Sequence, residues 1–152
     1  MAFDTIDRNL LELLQKDSKQ TNKELSNKLL LSVTAIYERI KKLEKLGVIE
    51  KYVALVNKEK IDKSFVAFCN IKLVQHTHDY VMKFERDVAN LNEVVECYHI
   101  SGDYDYLLKV LVTDMKAFRE FMVEKLTTIS HIGSTHSTFM INEVKYTTAV
   151  NI

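Results

Sequence analysis

The sequence contains no proline, no tryptophan and only three glycines among its 152 residues. Proline terminates helices and central strands, and glycine adopts left-handed backbone conformations without strain. Because both are scarce, few residues in this chain force the backbone to end an element or to turn. Each glycine is therefore predicted to meet a specific backbone requirement. Gly47 is predicted to end a helix, Gly102 to form a tight turn, and Gly133 to join a helix to a strand.

Cysteines and long apolar segments are also scarce. Cys69 and Cys97 lie in strand-like apolar runs and not at metal-ligand spacing, which favours two buried thiols and leaves a disulfide open. The sequence shows no basic and apolar leader, and no apolar run is long enough to span a bilayer. We therefore expect a cytoplasmic protein without a membrane partner.

Positive and negative side chains balance at 21 each, but they are distributed unevenly. Residues 1–60 carry 12 lysines and arginines against 9 acidic residues (+3), and residues 61–152 carry 9 against 12 (−3). The positive excess is modest, so one subunit would attract the phosphates of a nucleic acid only weakly. A dimer would strengthen this attraction by adding phosphate contacts. The hydrophobic content of 47% is sufficient for one or two domains with a real core.

The first part of the chain has the pattern of three short capped helices. Asp4 can cap the first helix, Thr21 and Glu24 have the spacing of a capping box, and Ser32 can cap the third helix. Apolar residues recur at helical spacing on one face of each helix: Ile6, Leu10, Leu11 and Leu14; Leu25 and Leu29; Ile36, Ile40 and Leu43. The tight joint before Ser32 is typical of a helix-turn-helix, whose second helix enters the major groove of DNA.

The third helix is predicted to present a polar and basic face away from the core. The residues predicted to bind DNA are the capping Ser32, Thr34 and Glu38 near base edges, Tyr37 at the flank, and Lys41, Lys42 and Lys45 at phosphates. Arg39 lies towards the inner edge, where the sequence is equally compatible with a structural salt bridge and with a phosphate contact. A surface helix with solvated lysines is the alternative interpretation of the whole segment.

The remaining chain changes from helical to alternating periodicity. Residues 48–56 are predicted to form a strand and the polar residues 57–63 a linker, which divides the chain into domains 1–56 and 64–152. Strand patterns include Phe65, Val94, Tyr104 and Thr135, and helical patterns include Val81 and Met115. The order β-α-β-β-α-β is ferredoxin-like. We therefore predict an α+β protein with an N-terminal three-helix winged helix-turn-helix and a C-terminal ferredoxin-like domain.

The turn at residues 101–105, SGDYD, is predicted to join the two middle strands as a hairpin. Gly-Asp is common turn chemistry, so the residues alone favour a simple turn over a ligand site. His76 and His78 form a His-x-His pair without a ligand cluster, so no metal site is predicted. No nucleophile, phosphate-binding loop or acid-base pair stands out, and we expect neither an enzyme nor a cofactor.

Several separated motifs resemble the Lrp/AsnC, or feast/famine, family of regulators. The run SVTAIYERIKKLEKLGVIEKY at residues 32–52 is similar to the DNA-binding region of that family, and the pattern from Asp4 to Leu11 is similar to its opening helix. SGDYDYLLKV at residues 101–110 is similar to the family's hairpin signature, and EVKYTT at residues 143–148 is similar to its C-terminal ending. The resemblance covers almost the full chain.

The resemblance implies a prokaryotic, nucleoid-associated transcription regulator that binds double-stranded DNA and responds to a small molecule, an amino acid. It also implies a homodimer formed through the C-terminal sheets, with four dimers in an octamer. The effector-binding residues that it implies lie in the hairpin and the last strand: Ser101, Gly102, Asp103, Tyr104, Asp105, Thr135 and Ser137.

Two positions depart from the family pattern. Leu30 stands where glycine is usual between the DNA-binding helices, and Val33 stands where proline commonly follows the capping serine. If residue 30 keeps a left-handed backbone, leucine carries about 1 to 2 kcal/mol of strain there.

Two other classes of function are open: a ferredoxin-like sensor that acts through protein contacts, and a small enzyme that uses the hairpin pocket and His99.

Overall fold

The computed structural model describes residues 4–152, so residues 1–3 of the predicted first domain lie outside the described residues. The chain divides into two compact units. One unit contains Met1–Leu55 together with Val144–Ile152, and the other contains Val56–Glu143. The C-terminal residues Val144–Ile152 pack with the first unit, and the sequence-based division into domains 1–56 and 64–152 stays a prediction.

Three helices form the first unit: α1 (Thr5–Lys16), α2 (Asn22–Leu29) and α3 (Val33–Lys45). Each begins at the predicted cap. The Asp4 carboxylate accepts from the Asp7 N–H, Thr21 and Glu24 form a reciprocal capping box, and the Ser32 hydroxyl accepts from the Ala35 N–H. Among the described residues, six buried side chains form the core of this unit: Leu10, Leu11, Leu14, Leu25, Ile36 and Leu43.

Leu30, between α2 and α3, has a left-handed backbone with φ 55° and ψ 41°. Its amide donates to the Ser26 carbonyl, which closes the end of α2. The leucine side chain is 90% exposed, so little apolar burial offsets the backbone strain. Gly47 lies one residue beyond Leu46, the C-cap of α3, and has a left-handed backbone with φ 69°, as predicted.

The predicted strand at residues 48–56 is wrong. Residues 51–57 follow an irregular course, and among residues 4–152 no strand pairs with this segment. An isolated strand leaves its backbone donors and acceptors without partners, so alternation of apolar residues alone does not form one. The predicted linker is also not featureless, because Lys58–Ile61 forms a short 3-10 helix capped by Asn57.

The second unit has the predicted β-α-β-β-α-β order. It consists of β1 (Phe65–Leu73), α4 (His78–Ala89), β2 (Val94–His99), β3 (Tyr106–Val112), α5 (Met115–Glu124) and β4 (Ile132–Phe139). The antiparallel sheet has the strand order β2-β3-β1-β4. This order is ferredoxin-like, and it confirms the predicted α+β fold and the hairpin of β2 and β3.

One face of the sheet is covered by α4 and α5. The alternating residues of β1 and β3 on this face are buried, and they pack with Phe84, Phe118 and Phe121 from the helices. Cys69 is buried in this layer, whereas Cys97 on the edge strand β2 is exposed. Both cysteines are free, so the prediction of two buried thiols holds only for Cys69.

Gly133 lies inside β4 and not at a helix-to-strand junction, which corrects the sequence interpretation. A Cβ added there would lie 3.4 Å from the Lys72 carbonyl oxygen and from the Val74 nitrogen. The glycine therefore permits close approach of the β1 backbone, where the register of β1 and β4 shifts between Lys72 and Leu73. The left-handed residue that precedes β4 is His131, with φ 72°.

Candidate functional site

The solvent-facing side of α3 carries most of the residues predicted to contact DNA. Thr34, Tyr37, Glu38, Lys41 and Lys45 are exposed on this helix. Ile36 and Leu43 are fully buried on the opposite side, so the amphipathic pattern fixes which face of α3 points outward. Ser32 is occupied as the helix cap, which sets the first turn of α3.

Lys41 belongs to a short polar chain along the exposed side of α3. Its Nζ atom lies 2.7 Å from Glu44 Oε2, and the Tyr52 hydroxyl donates to Glu44 Oε1 at 3.1 Å. The hydrogen bond from Lys41 lowers the pKa of the Glu44 carboxyl, and the same contact raises the pKa of the Lys41 ammonium. Lys41 is therefore positively charged at neutral pH. Its Nζ atom also lies 5.9 Å from the centre of the Tyr37 ring.

Arg39 points to the inner side of α3, where it meets α1. Its Nη1 atom lies 2.7 Å from Asp4 Oδ2 and 2.5 Å from Asp7 Oδ1. Lys42 reaches the other oxygen of Asp7 at 3.3 Å. The sequence was compatible with a structural salt bridge and with a phosphate contact, and in the structure Arg39 forms the salt bridge. Sequence reasoning missed its acidic partners, although the Asp4 and Asp7 pair opens the first helix.

The hairpin residues 101–105 have two different environments. Ser101, Gly102 and Asp103 are exposed, and Gly102 has φ 122°, which favours glycine. Asp105 is largely enclosed: its Oδ2 accepts from the Leu73 N–H at 2.7 Å, and its Oδ1 lies 2.6 Å from His76 Nε2. Burial opposes ionisation of Asp105, but the hydrogen bonds from Leu73 and His76 lower its pKa overall.

The backbone of Asp105 also connects the hairpin to β1, because its amide donates to the Ile71 carbonyl at 2.9 Å. Thr135 on β4 is the register partner of Ile71, so Thr135 and Asp105 flank the same β1 residue. Ser137 lies two pairs further along, opposite Cys69, where its hydroxyl is 3.5 Å from the buried Cys69 sulfur. Ser137 is therefore directed at the core and not at the turn.

Tyr104 lies near a residue that sequence reasoning did not select. Its ring centre is 6.3 Å from that of His136 on β4. His136 pairs in register with Asn70, whereas the flanking Thr135 and Ser137 pair with Ile71 and Cys69. Strand alternation therefore places His136 on the sheet face opposite the helices, and Tyr104 is directed towards that face.

Clusters of metal-ligating side chains and membrane-spanning helices are both absent from residues 4–152. No group of three His, Cys, Asp or Glu side chains converges there as a potential metal site. His76 instead contacts Asp105, and His78 lies 3.6 Å from the neighbouring Asp79. No helix in this part of the chain combines the length and apolarity needed to cross a membrane.

Comparison with known families assigns both units. A family model described as Lrp/AsnC ligand binding domain matches residues 66–150, and one described as winged helix-turn-helix DNA-binding matches residues 3–50. The leucine-responsive regulatory protein of Escherichia coli K12 is 41% identical over 143 residues, which are 94% of this chain and 87% of that protein.

Solved structures agree with this assignment. A transcriptional regulator from Neisseria meningitidis in complex with L-Met matches with a TM-score of 0.94 at 32% identity, covering 98% of this chain and 96% of that chain. An AsnC family transcriptional regulator from Agrobacterium tumefaciens matches with a TM-score of 0.93 at 36% identity, covering 97% and 96%. The chain therefore belongs to the Lrp/AsnC family of transcriptional regulators.

Proposed function

We propose that this regulator reads double-stranded DNA with α3 and that an amino acid bound at the hairpin end of the second unit modulates its binding. The observation that carries the first part is the exposed, lysine-bearing face of a capped helix whose Ile36 and Leu43 are fully buried on the opposite side. The second part is supported by the family of the ligand-binding domain and by the L-Met complex of the Neisseria meningitidis regulator.

The positions on α3 suggest distinct roles. Thr34 and Glu38 lie on the N-terminal half of the exposed face, which is the part of a recognition helix that reaches base edges, and Tyr37 flanks them. Lys41, Lys42 and Lys45 follow on the C-terminal half and would contact phosphates. Ser32 would act indirectly, since its hydroxyl is occupied in capping α3.

Lys41→Ala tests the DNA contact. The variant should weaken binding to every duplex sequence and reduce the dependence of log K on log salt by about 0.9, because one phosphate contact is lost. Fluorescence anisotropy with a labelled duplex measures both quantities. Lys116→Ala, on the exposed face of α5, is the matched control. Equal affinity and equal salt dependence for wild type and Lys41→Ala would reject α3 as the reader.

The effector proposal rests on polar groups at the hairpin. The exposed Asp103 carboxylate is suited to an ammonium group, and Ser101, Gly102 and Tyr104 offer backbone or side-chain donors nearby on the chain. Asp105 would hold the hairpin in shape through Leu73 and His76, next to Thr135. Ser137 would contribute only after its hydroxyl leaves Cys69.

Isothermal titration calorimetry with a panel of L-amino acids tests this site. We expect heat from at least one amino acid and a weaker signal from Asp103→Asn, whereas Asp79→Asn, an exposed carboxylate on α4, should leave it unchanged. Absence of heat from every amino acid, or equal heat from all three proteins, would leave the hairpin as a structural turn.

We further propose that the protein acts as a homo-oligomer, four dimers in an octamer, in the prokaryotic cytoplasm and at the nucleoid, without enzymatic activity or a cofactor. Exposed apolar residues on β2, Val95 at 50% and Tyr98 at 51% exposure, are consistent with association of sheets.

A bound amino acid would shift the equilibrium between assemblies only if it binds them with unequal affinity. Sedimentation velocity with and without amino acid tests whether the effector changes the size of the oligomer. An identical size distribution would exclude regulation through a change of assembly.

A further inference from the structure

Asp7 is the one charged side chain that is fully buried among residues 4–152. It lies in the first turn of α1, next to the leucine core of the DNA-binding unit. A carboxylate in such a place is destabilising unless it is paired, and replacement by an apolar residue often stabilises a protein. Its partners are both on α3, at sequence separations of 32 and 35 residues.

The contacts of Asp7 use both of its carboxylate oxygens. Oδ1 accepts from Arg39 Nη1 at 2.5 Å, and Oδ2 accepts from Lys42 Nζ at 3.3 Å. Asp4 adds a second carboxylate: its Oδ2 accepts from the same Arg39 atom at 2.7 Å, and its Oδ1 accepts from the Asp7 backbone N–H at 2.7 Å. We call Asp4 and Asp7 the acidic clamp.

The acidic clamp changes the charge that α3 presents. The helix carries four cations, Arg39, Lys41, Lys42 and Lys45, and two anions, Glu38 and Glu44, so its own charge is +2 (4 − 2). The two clamp carboxylates bring this local sum to 0. Only 25% of the Arg39 side chain is exposed while the clamp holds it, whereas Lys42 is 54% exposed and is shared between Asp7 and solvent.

We propose that the acidic clamp restricts the sequence-independent affinity of α3 for DNA by withholding Arg39, and in part Lys42, from phosphates, and that Asp7 is the positioning residue for α3. This inference rests on the proposed DNA-binding function. The clamp holds Arg39 and Lys42 on the α1 side of α3. Thr34 and Glu38 therefore face solvent, and Arg39 does not compete with them for DNA. Affinity for unrelated sequences is kept low, and base contacts then determine where the protein binds.

Asp7→Asn tests the proposal because it keeps the size of the side chain and removes its charge. Binding to a random-sequence duplex should become stronger, by about five- to tenfold at 0.1 M salt for each cation that is released to a phosphate. The salt dependence of log K should steepen by about 0.9 to 1.8, for one or two released cations. Discrimination between a site selected from a random library and the random duplex should decrease.

Glu12→Gln is the matched control, since it removes one negative charge from α1 at a residue that pairs with neither Arg39 nor Lys42. Asp4→Asn is the second variant if circular dichroism shows that Asp7→Asn does not fold. Asparagine is as good a helix cap as aspartate, so this variant should fold and steepen the salt dependence to a smaller extent.

The outcomes separate the two levels of the proposal. A structural role alone would lower the active fraction of Asp7→Asn and leave the salt dependence unchanged, which would overturn the clamp. The same conclusion follows if Asp7→Asn and Asp4→Asn both match Glu12→Gln. Wild-type protein without salt-dependent DNA binding would instead overturn the proposed function, and with it this inference.

Discussion

Leu30→Gly should stabilise the DNA-binding unit, although it removes a large apolar side chain. The left-handed backbone at φ 55° costs leucine about 1 to 2 kcal/mol, and glycine avoids this strain. Because the side chain is 90% exposed, only the remaining 10% (100 − 90) of its burial is lost, about 0.2 kcal/mol. The added freedom of glycine in the unfolded chain costs a further 0.4 to 1 kcal/mol, approximately. The net gain is about 0.5 kcal/mol.

Hydrogen-exchange mass spectrometry of peptides from α2 and α3 measures this gain in the full chain. A stabilisation of about 0.5 kcal/mol slows exchange of the most protected amides roughly twofold. Gly47→Ala is the matched control, since a Cβ there meets nothing within 4 Å and φ is 69°, so only backbone strain is added. This control should exchange faster than wild type. Faster exchange in Leu30→Gly would refute the strain argument.

The other predictions concern the hairpin and the tail. Asp105 has a lowered folded pKa, so its contribution to stability is present above its unfolded value of 3.8 and is lost as pH falls through the folded pKa. Urea midpoints measured across this pH range should fall less steeply for Asp105→Asn than for wild type, and parallel curves would contradict the role of Asp105. Gln15 accepts from the Val150 N–H at 2.7 Å and donates to the Val150 carbonyl at 3.0 Å. Gln15→Ala should therefore accelerate exchange of the Val150 amide while the α4 amides keep their rates; unchanged exchange at Val150 would show that Gln15 does not hold the tail.

The sequence predicted the parts of the fold that depend on local interactions. The caps at Asp4, Thr21 and Ser32 bond to residues three positions away, so their patterns are visible in short windows. The βαββαβ order followed from periodicity for the same reason. Leu30 shows the converse case, because its left-handed backbone was indicated by the family's usual glycine and not by its own side chain.

Features that depend on distant residues could not be predicted in this way. The segment 48–56 alternates like a strand, but a strand requires a partner, and none pairs with it among the described residues. The contact of Arg39 with Asp7 spans 32 positions, and that of His76 with Asp105 spans 29. Cys97 has a core-like sequence neighbourhood but lies on an edge strand, so topology determines its exposure.

Chemical footprinting of lysine side chains tests most directly whether α3 is the surface that meets DNA. Amine labelling with and without duplex, read out by mass spectrometry, should show protection of Lys41 and Lys45 on α3. Lys116, on α5 and 86% exposed, should be labelled equally in both conditions. Unprotected lysines on α3 in the presence of bound duplex, or protection confined to the second unit, would contradict the account.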